Sequence, residues 1–201
     1  KAFQDMEKLE LIEMNSVRKI SEGAFYNTGL QSITIPENIA SVGKNAFSWC
    51  TSLTHVVWNS VSCEDFIPKD NSGYSILPFP ASIASQITSF ILGEKVKNIP
   101  AYLCYKMKNI TKLILPETLS YIGSYAFADC SNLYTINIPQ SISYVGDNAF
   151  NGCGITKSTK TKDNLDGINK ILEEYLKSGY ELNVNENNLP IATLDIEIGS
   201  L

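Results

Sequence analysis

The sequence predicts an α/β solenoid, in which short strands and turns repeat along the chain and stack as successive coils. Three stretches share one order of apolar, proline, glycine and cysteine residues: 30–52, 110–132 and 133–154. The last two begin at Ile110 and Leu133, which are 23 residues apart. A repeat of this length is typical of solenoids, whose units bury an apolar face only against their neighbours.

Six units follow when each is aligned on the first apolar residue of its strand-like run. The starting residues are Leu9, Leu30, Leu53, Ile87, Ile110 and Leu133. The third unit spans 34 residues, 11 more than the 23 of the second unit. We therefore predict one continuous repeat domain with an insertion in its third unit.

The first half of each unit has the pattern of a strand. In the second unit Ile33 and Ile35 alternate with Ser32 and Thr34, and this period of two places the isoleucines on one face of a sheet. A proline follows the strand in three units and ends it, because proline cannot donate a hydrogen bond to a ladder. These prolines are Pro36, Pro116 and Pro139.

The second half of each unit has the pattern of a turn. We expect Gly43, Gly123 and Gly146 to adopt positive φ angles in tight turns, since glycine does so at no steric cost. An Ala-Phe pair follows each glycine and predicts one turn of α or 3₁₀ helix. The phenylalanine of this pair, such as Phe127, is predicted to be a buried residue that contacts its equivalents in adjacent units.

Cysteine recurs three residues after that phenylalanine, at Cys50, Cys130 and Cys153. We interpret it as a small buried hydrophobic residue that fills a recurrent position. The chain has five cysteines and no CxxC pair, so the spacing does not predict a metal site. Disulfides in an exported protein are a second interpretation, and the spacing assigns no pairing.

The recurring pattern, LxxIxIPxxIxxIGxxAFxxC, resembles the BspA-like leucine-rich repeats, also called the Treponema pallidum type. The resemblance covers residues 9–154 of 201. It implies a right-handed leucine-rich-repeat solenoid, with a parallel sheet on the concave face and short helical or 3₁₀ turns on the convex face. It also implies a bacterial, or in some cases protozoan, surface or secreted protein that adheres to proteins of a host or a neighbouring cell.

Three units depart from the pattern. The first lacks the proline and the glycine, and the fourth has Pro100 at the glycine position and Cys104 at the phenylalanine position. The third has no Ala-Phe pair. We interpret residues 59–86 of this unit as an ordered excursion, because aromatic residues are frequent there and disordered segments contain few of them. The segment contains Phe66, Tyr74 and Phe79, and Trp58 directly precedes it.

The repeat pattern ends at Gly154, and we assign residues 1–154 to the repeat domain and 155–201 to a separate C-terminal segment. A polar link at 157–162 precedes an amphipathic helix predicted over 164–178, with Asp163 as N-cap and Gly179 as its stop signal. Two strand-like runs follow, at 180–185 and 192–198. Two interpretations fit: a cap on the open end of the solenoid, or the start of a further small domain.

The sequence shows no catalytic motif, and we predict that the protein is not an enzyme and needs no cofactor. His55 is the only histidine, and no nucleophile or acid motif accompanies it. No GxSxG, P-loop, GxGxxG or HExxH pattern occurs. The net charge of −5 and the absence of a basic stripe argue against nucleic-acid binding. No apolar run is long enough to cross a bilayer.

A predicted surface remains as the candidate site. Two outward-facing positions of each strand should form two rows on the concave face. The first row is Glu13, Thr34, Val57, Ile91, Ile114 and Asn137, and the second is Leu11, Ser32, His55, Ser89, Lys112 and Thr135. The first row is aliphatic in its middle three members and polar towards both ends, which is typical of protein-binding patches.

We therefore predict that a protein partner binds to Val57, Ile91 and Ile114, with His55, Ser89 and Lys112 at the border. Two other interpretations are open. Val and Ile are favoured in strands whatever their function, and the excursion after Trp58 could cover the patch. The predicted surface indicates a protein-interaction module, and the resemblance to BspA-like repeats implies adhesion by an exported or cell-surface protein. The alternative is a structural spacer in a larger surface protein.

Overall fold

The protein is described here from a computed structural model, which defines residues 2–67 and 77–154. This part of the chain is a solenoid of short parallel strands joined by turns. The strands are β1 (Lys19–Ile20), β2 (Ser32–Ile35), β3 (Ser41–Val42), β4 (His55–Trp58), β5 (Ser89–Leu92), β6 (Asn98–Ile99), β7 (Lys112–Ile114), β8 (Tyr121–Ile122), β9 (Thr135–Asn137) and β10 (Tyr144–Val145). One short helix, α1 (Ala81–Ala84), is the only helix in these residues.

All strand pairs in the described residues are parallel, which confirms the predicted solenoid. The longer strands pair as β2–β4–β5 and as β7–β9, on the predicted concave side. The two-residue strands pair as β1–β3 and as β6–β8–β10 on an adjoining side. The register joins equivalent positions of successive units, as in the pairing of Ile33 with Val56 and of Val56 with Phe90. The first unit contributes no strand to the concave sheet.

The Ala-Phe segments are hydrogen-bonded turns, so the prediction of helical or 3₁₀ turns there was wrong. Alternate N–H groups of each turn donate to the next coil instead of to the same one. Phe25 N donates to Ala46 O at 2.9 Å, and Asn27 N donates to Ser48 O at 2.9 Å. Because these groups hold adjacent coils together, they are not available to build a helix.

The prediction of positive φ angles at three recurrent glycines was also wrong. Gly43, Gly123 and Gly146 do not have positive φ angles. They are required by close approach between coils, because a Cβ at Gly123 would lie 2.3 Å from Ala101 N. The positive φ angles fall two residues later, for example at Asn45, with φ of 54°. The left-handed residues of the turns share two positions in every unit except the third, and they are Gly23, Asn27, Asn45, Trp49, Tyr102, Lys106, Tyr125, Asp129, Asn148 and Gly152.

Stacked phenylalanine rings run through the core on the turn side. The rings of Phe3, Phe25, Phe47 and Phe79 follow one another at centroid distances of 5.4, 5.4 and 4.9 Å. Phe79 belongs to the third unit, so the Leu-Pro-Phe-Pro run supplies the phenylalanine that this unit otherwise lacks. Phe127 is fully buried, as predicted, and its ring stacks on that of Phe150 at 5.3 Å.

The first part of the excursion fills the flank of the third coil. Glu64 N donates to Ala40 O at 2.9 Å, and Phe66 N donates to Ala101 O at 3.2 Å. The Phe66 ring also packs edge-on against the buried Trp58 ring, at a centroid distance of 6.3 Å. Residues 59–67 and 77–86 are thus ordered parts of the solenoid wall. The rest of the excursion lies outside the described residues.

All five cysteines are buried and free. The recurrent thiols also donate hydrogen bonds to carbonyls of the preceding coil: Cys50 Sγ to Phe25 O at 2.9 Å, Cys130 Sγ to Cys104 O at 3.1 Å and Cys153 Sγ to Phe127 O at 3.2 Å. This recurrent position therefore favours cysteine over a purely apolar residue, because the thiol supplies a hydrogen-bond donor to a buried carbonyl.

The C-terminal predictions lie outside the described residues. They are the polar link, the amphipathic helix and the two strands of 155–201, so the domain boundary after Gly154 also stays a prediction. Their two interpretations, cap or further domain, stay predictions.

Candidate protein-binding surface

The concave sheet presents its two exposed isoleucines side by side on neighbouring coils. Ile91 of β5 is 54% exposed and Ile114 of β7 is 62% exposed, which is high for aliphatic side chains. Val57 of β4 is half-buried. In the flanking coils the same position holds the exposed Thr34 and the half-buried Asn137. The described part of the excursion therefore leaves both isoleucines open to solvent.

The ladder between β4 and β5 brings four of the predicted site residues together. Val57 pairs with Ile91, and His55 pairs with Ser89. His55 is exposed, and its Nδ1 lies 2.8 Å from Thr54 Oγ1.

The other two predicted site residues, Lys112 and Ile114, lie on β7, and β7 is not hydrogen-bonded to β5. The concave sheet is divided at this point into β2–β4–β5 and β7–β9. The fourth and fifth coils remain joined elsewhere, because Gly123 N donates to Ile99 O at 2.8 Å and Cys104 N donates to Ala126 O at 2.8 Å.

A cleft of about 440 Å³ opens at this division, and we call it the β5–β7 slot. It reaches down to core-facing side chains of β5. Phe90 and Leu92 are 5% and 8% exposed, whereas Val56 of β4 is 1% exposed. Residues on both sides form the slot, among them Thr88, Phe90, Ile91, Leu92, Lys112 and Ile114. Sequence reasoning missed the slot, because both strands have the ordinary alternation of a paired strand.

Charged groups stand at the two ends of the slot. Lys112 lies where β7 begins, and Glu94 lies just after β5 ends. Both side chains are exposed, and neither forms an ion pair within residues 2–67 and 77–154. By contrast, Lys95 Nζ lies 3.0 Å from Glu37 Oε1 and links the second and fourth coils.

Other chemistry is not assembled in the part of the chain that the structure describes. No group of three or more His, Cys, Asp or Glu residues there could hold a metal ion. Burial raises the pKa of the Cys63 thiol to about 12, so this thiol is protonated at neutral pH and a poor nucleophile. Burial likewise raises the pKa of Cys104 and of Cys130. Within these residues no helix has the length and apolar character needed to cross a membrane.

Comparison with known sequences finds one family. The chain matches the family described as BspA type leucine rich repeat region, in six copies, over residues 1–66 and 82–188. The second match therefore continues beyond Gly154, which is the predicted end of the repeat domain. No curated protein sequence matches the chain.

Solved structures with the same fold come from several bacteria. A leucine-rich repeat protein from Bacteroides ovatus is 26% identical, with a TM-score of 0.52, and the match covers 72% of this chain and 40% of that protein. A leucine-rich repeat protein from Eubacterium ventriosum is 25% identical, with a TM-score of 0.55 and coverage of 74% and 39%. The Treponema pallidum leucine-rich repeat protein is 20% identical, with a TM-score of 0.50 and coverage of 66% and 57%. The chain thus spans about two fifths of the first two proteins.

Proposed function

Because the chain belongs to the BspA-type leucine-rich repeat family, we propose that it is a non-enzymatic module that binds a protein partner through its concave sheet. We infer further that this module is part of an exported or cell-surface protein and acts in adhesion. The proposed site is centred on Val57, Ile91 and Ile114, with His55, Ser89 and Lys112 at its border.

The exposure of Ile91 and Ile114 is the observation that carries this proposal. Exposed aliphatic side chains on adjacent coils favour association, since their removal from water contributes about 25 cal/mol per Å² of apolar surface. Polar residues border them at Ser89, Lys112 and Asn137, as at the rim of protein interfaces. The border residues would contribute orientation and association rate more than affinity, because they are exposed to solvent.

The test compares capture of extracellular proteins by three forms of the protein. These are the unchanged chain, the double variant Ile91→Asp/Ile114→Asp and the control Trp49→Asp. Trp49 is a 63% exposed residue of a convex turn, so its replacement changes an apolar surface on another face. A partner identified with the unchanged chain is then purified and its affinity is measured with each form.

We expect the double variant to lose at least about tenfold in affinity, which is about 1.4 kcal/mol, while the control binds as the unchanged chain does. Both variants should keep the far-ultraviolet circular dichroism spectrum, because the replaced side chains lie outside the core. A double variant that binds with full affinity would refute the concave site. A chain with no protein partner in any such experiment would instead fit a structural spacer in a larger protein.

A further inference from the structure

Within residues 2–67 and 77–154, the backbone groups that line the β5–β7 slot have no main-chain partner on either side. On β5, Ser89 N donates to Thr54 O at 3.2 Å, and Gly93 N donates to Trp58 O at 2.9 Å. Successive residues of a strand direct their N–H and C=O groups to opposite neighbours. The peptide groups of Phe90 and Leu92 therefore point into the slot.

On the facing edge of β7, alternate peptide groups also point into the slot. Tyr134 N donates to Thr111 O at 3.1 Å, and the Asn137 side chain bonds both main-chain groups of Leu115, at 2.8 and 2.9 Å. These alternate residues face β9. The peptide groups of Lys112 and Ile114 consequently face β5, and no main-chain hydrogen bond crosses the slot within the described residues.

We propose that the slot takes up one extended segment of a partner polypeptide as an added parallel strand. This inference rests on the proposed function, because it names the partner's chemistry and its mode of binding at the same surface. A polypeptide backbone is the occupant that matches two facing rows of free N–H and C=O groups. Because paired strands lie about 4.8 Å apart, an added strand requires β5 and β7 to move to about 10 Å from each other. In this proposal the concave side widens, while β6–β8 and the turns hold the fourth and fifth coils together.

The side chains around the slot define the sequence that it would favour. Ile91 and Ile114 flank the slot on the concave face, and Phe90 and Leu92 flank it on the core face. An inserted strand is therefore aliphatic on both faces, as strands of buried parallel sheets are. Lys112 at one end favours an acidic residue near the amino end of the segment, and Glu94 at the other end favours a basic residue near its carboxyl end.

The free outer edge of β2 provides an internal comparison. The first coil contributes no concave strand, so Ser32 and Thr34 also direct peptide groups to an edge that no other described strand pairs with. The β2 edge has one row of backbone groups, and its outward side chains are polar. The slot has two facing rows of backbone groups, and its flanking side chains are aliphatic. A segment that merely adds to any open strand edge would bind at β2 as well.

The experiment uses blocked synthetic peptides and the 201-residue chain. The probe is acetyl-Asp-Val-Leu-Val-Lys-amide, and its controls are the charge-exchanged peptide acetyl-Lys-Val-Leu-Val-Asp-amide and the probe methylated on its three central backbone nitrogens. Affinity is measured by titration, and amide hydrogen exchange is measured by NMR with and without peptide.

We expect methylation to weaken binding by about tenfold or more, since it removes backbone donors and leaves the side chains unchanged. Exchange of the two charges should weaken it by about two- to fivefold at low salt. The amides of Phe90, Leu92, Lys112 and Ile114 should exchange more slowly with the probe bound, while those of Ser32 and Thr34 should not change.

The outcomes separate this inference from the proposed function. If the probe binds and Ile91→Asp/Ile114→Asp abolishes its binding, but methylation has no effect and the slot amides stay unprotected, the concave site is supported and strand insertion is wrong. Protection of Ser32 and Thr34 together with the slot would show edge addition without selectivity, which also overturns the inference. Absence of peptide binding at millimolar concentration overturns it too, and the proposed function is then judged by the partner experiment alone.

Discussion

The Phe127→Ala substitution tests whether the stacked phenylalanines are the main packing element between coils. Phe127 is fully buried, and its ring lies 5.3 Å from that of Phe150. Loss of burial of such a side chain costs about 1.5–3 kcal/mol. A residual void of about 50 Å³ adds about 1 kcal/mol, at about 24 cal/mol per Å³. Loss of the ring pair adds about 0.5–1.5 kcal/mol. We therefore expect a decrease of about 3–5 kcal/mol in the free energy of unfolding.

The matched control for this prediction is Phe3→Ala. The Phe3 ring also stacks on one neighbour, Phe25, at 5.4 Å, but unlike Phe127 it is only partly buried. We expect it to cost about 1–2 kcal/mol, because less surface returns to water. Urea unfolding followed by circular dichroism gives both values, with linear extrapolation to zero denaturant. A loss below about 1 kcal/mol for Phe127→Ala, or equal losses for the two variants, would contradict the assignment of Phe127 to the fully buried core between coils.

Three further predictions concern backbone and thiol chemistry. Gly123→Ala should lower the urea midpoint markedly, because its Cβ would lie 2.3 Å from Ala101 N; an unchanged midpoint would show that the coils can separate at no cost. Trp49→Asn should raise the free energy of unfolding by about 0.5–1 kcal/mol in the same melts. Trp49 is exposed and has φ of 65°, a left-handed conformation that asparagine tolerates better. A clear decrease in this free energy would show that the Trp49 ring stabilises the fold. Burial raises the pKa of the Cys63 thiol to about 12, so the thiol of the unfolded state loses its proton first and the free energy of unfolding should fall as pH rises from about 9 towards 12. Cys63→Ala should reduce this alkaline loss of stability. An equal loss in both proteins would refute the assignment of the effect to Cys63.

The repeat, the strands and the core could be predicted from sequence because they depend on local periodicity. Alternation of apolar and polar residues assigned Ile33 and Ile35 to the core, and both are buried. The alignment of units also placed Phe127 and Cys130 inside. It did not find that Phe79 supplies the third unit's ring, because the excursion shifts this residue out of the regular spacing.

The role of the turn residues could be predicted only in part. Glycine at a recurrent turn position suggests a positive φ, and nothing within one unit distinguishes that cause from a close approach of the next unit. In the structure Gly43 lies against the backbone of Glu22, and Asn45 has the left-handed conformation. The missing information is the distance between coils, which depends on two units at once.

The sequence by itself therefore determined the family of the fold, the register of its units and which side chains of each strand face outwards, since all three depend on residue spacing along the chain. The tertiary structure decided how well neighbouring coils fit together. The strands of the fourth and fifth coils have ordinary patterns, yet β5 and β7 form no ladder and leave the slot between Ile91 and Ile114. Pairing between strands requires their edges to lie within hydrogen-bonding distance. That distance results from packing of the whole coil, including the turns and the excursion, and no single strand sequence specifies it.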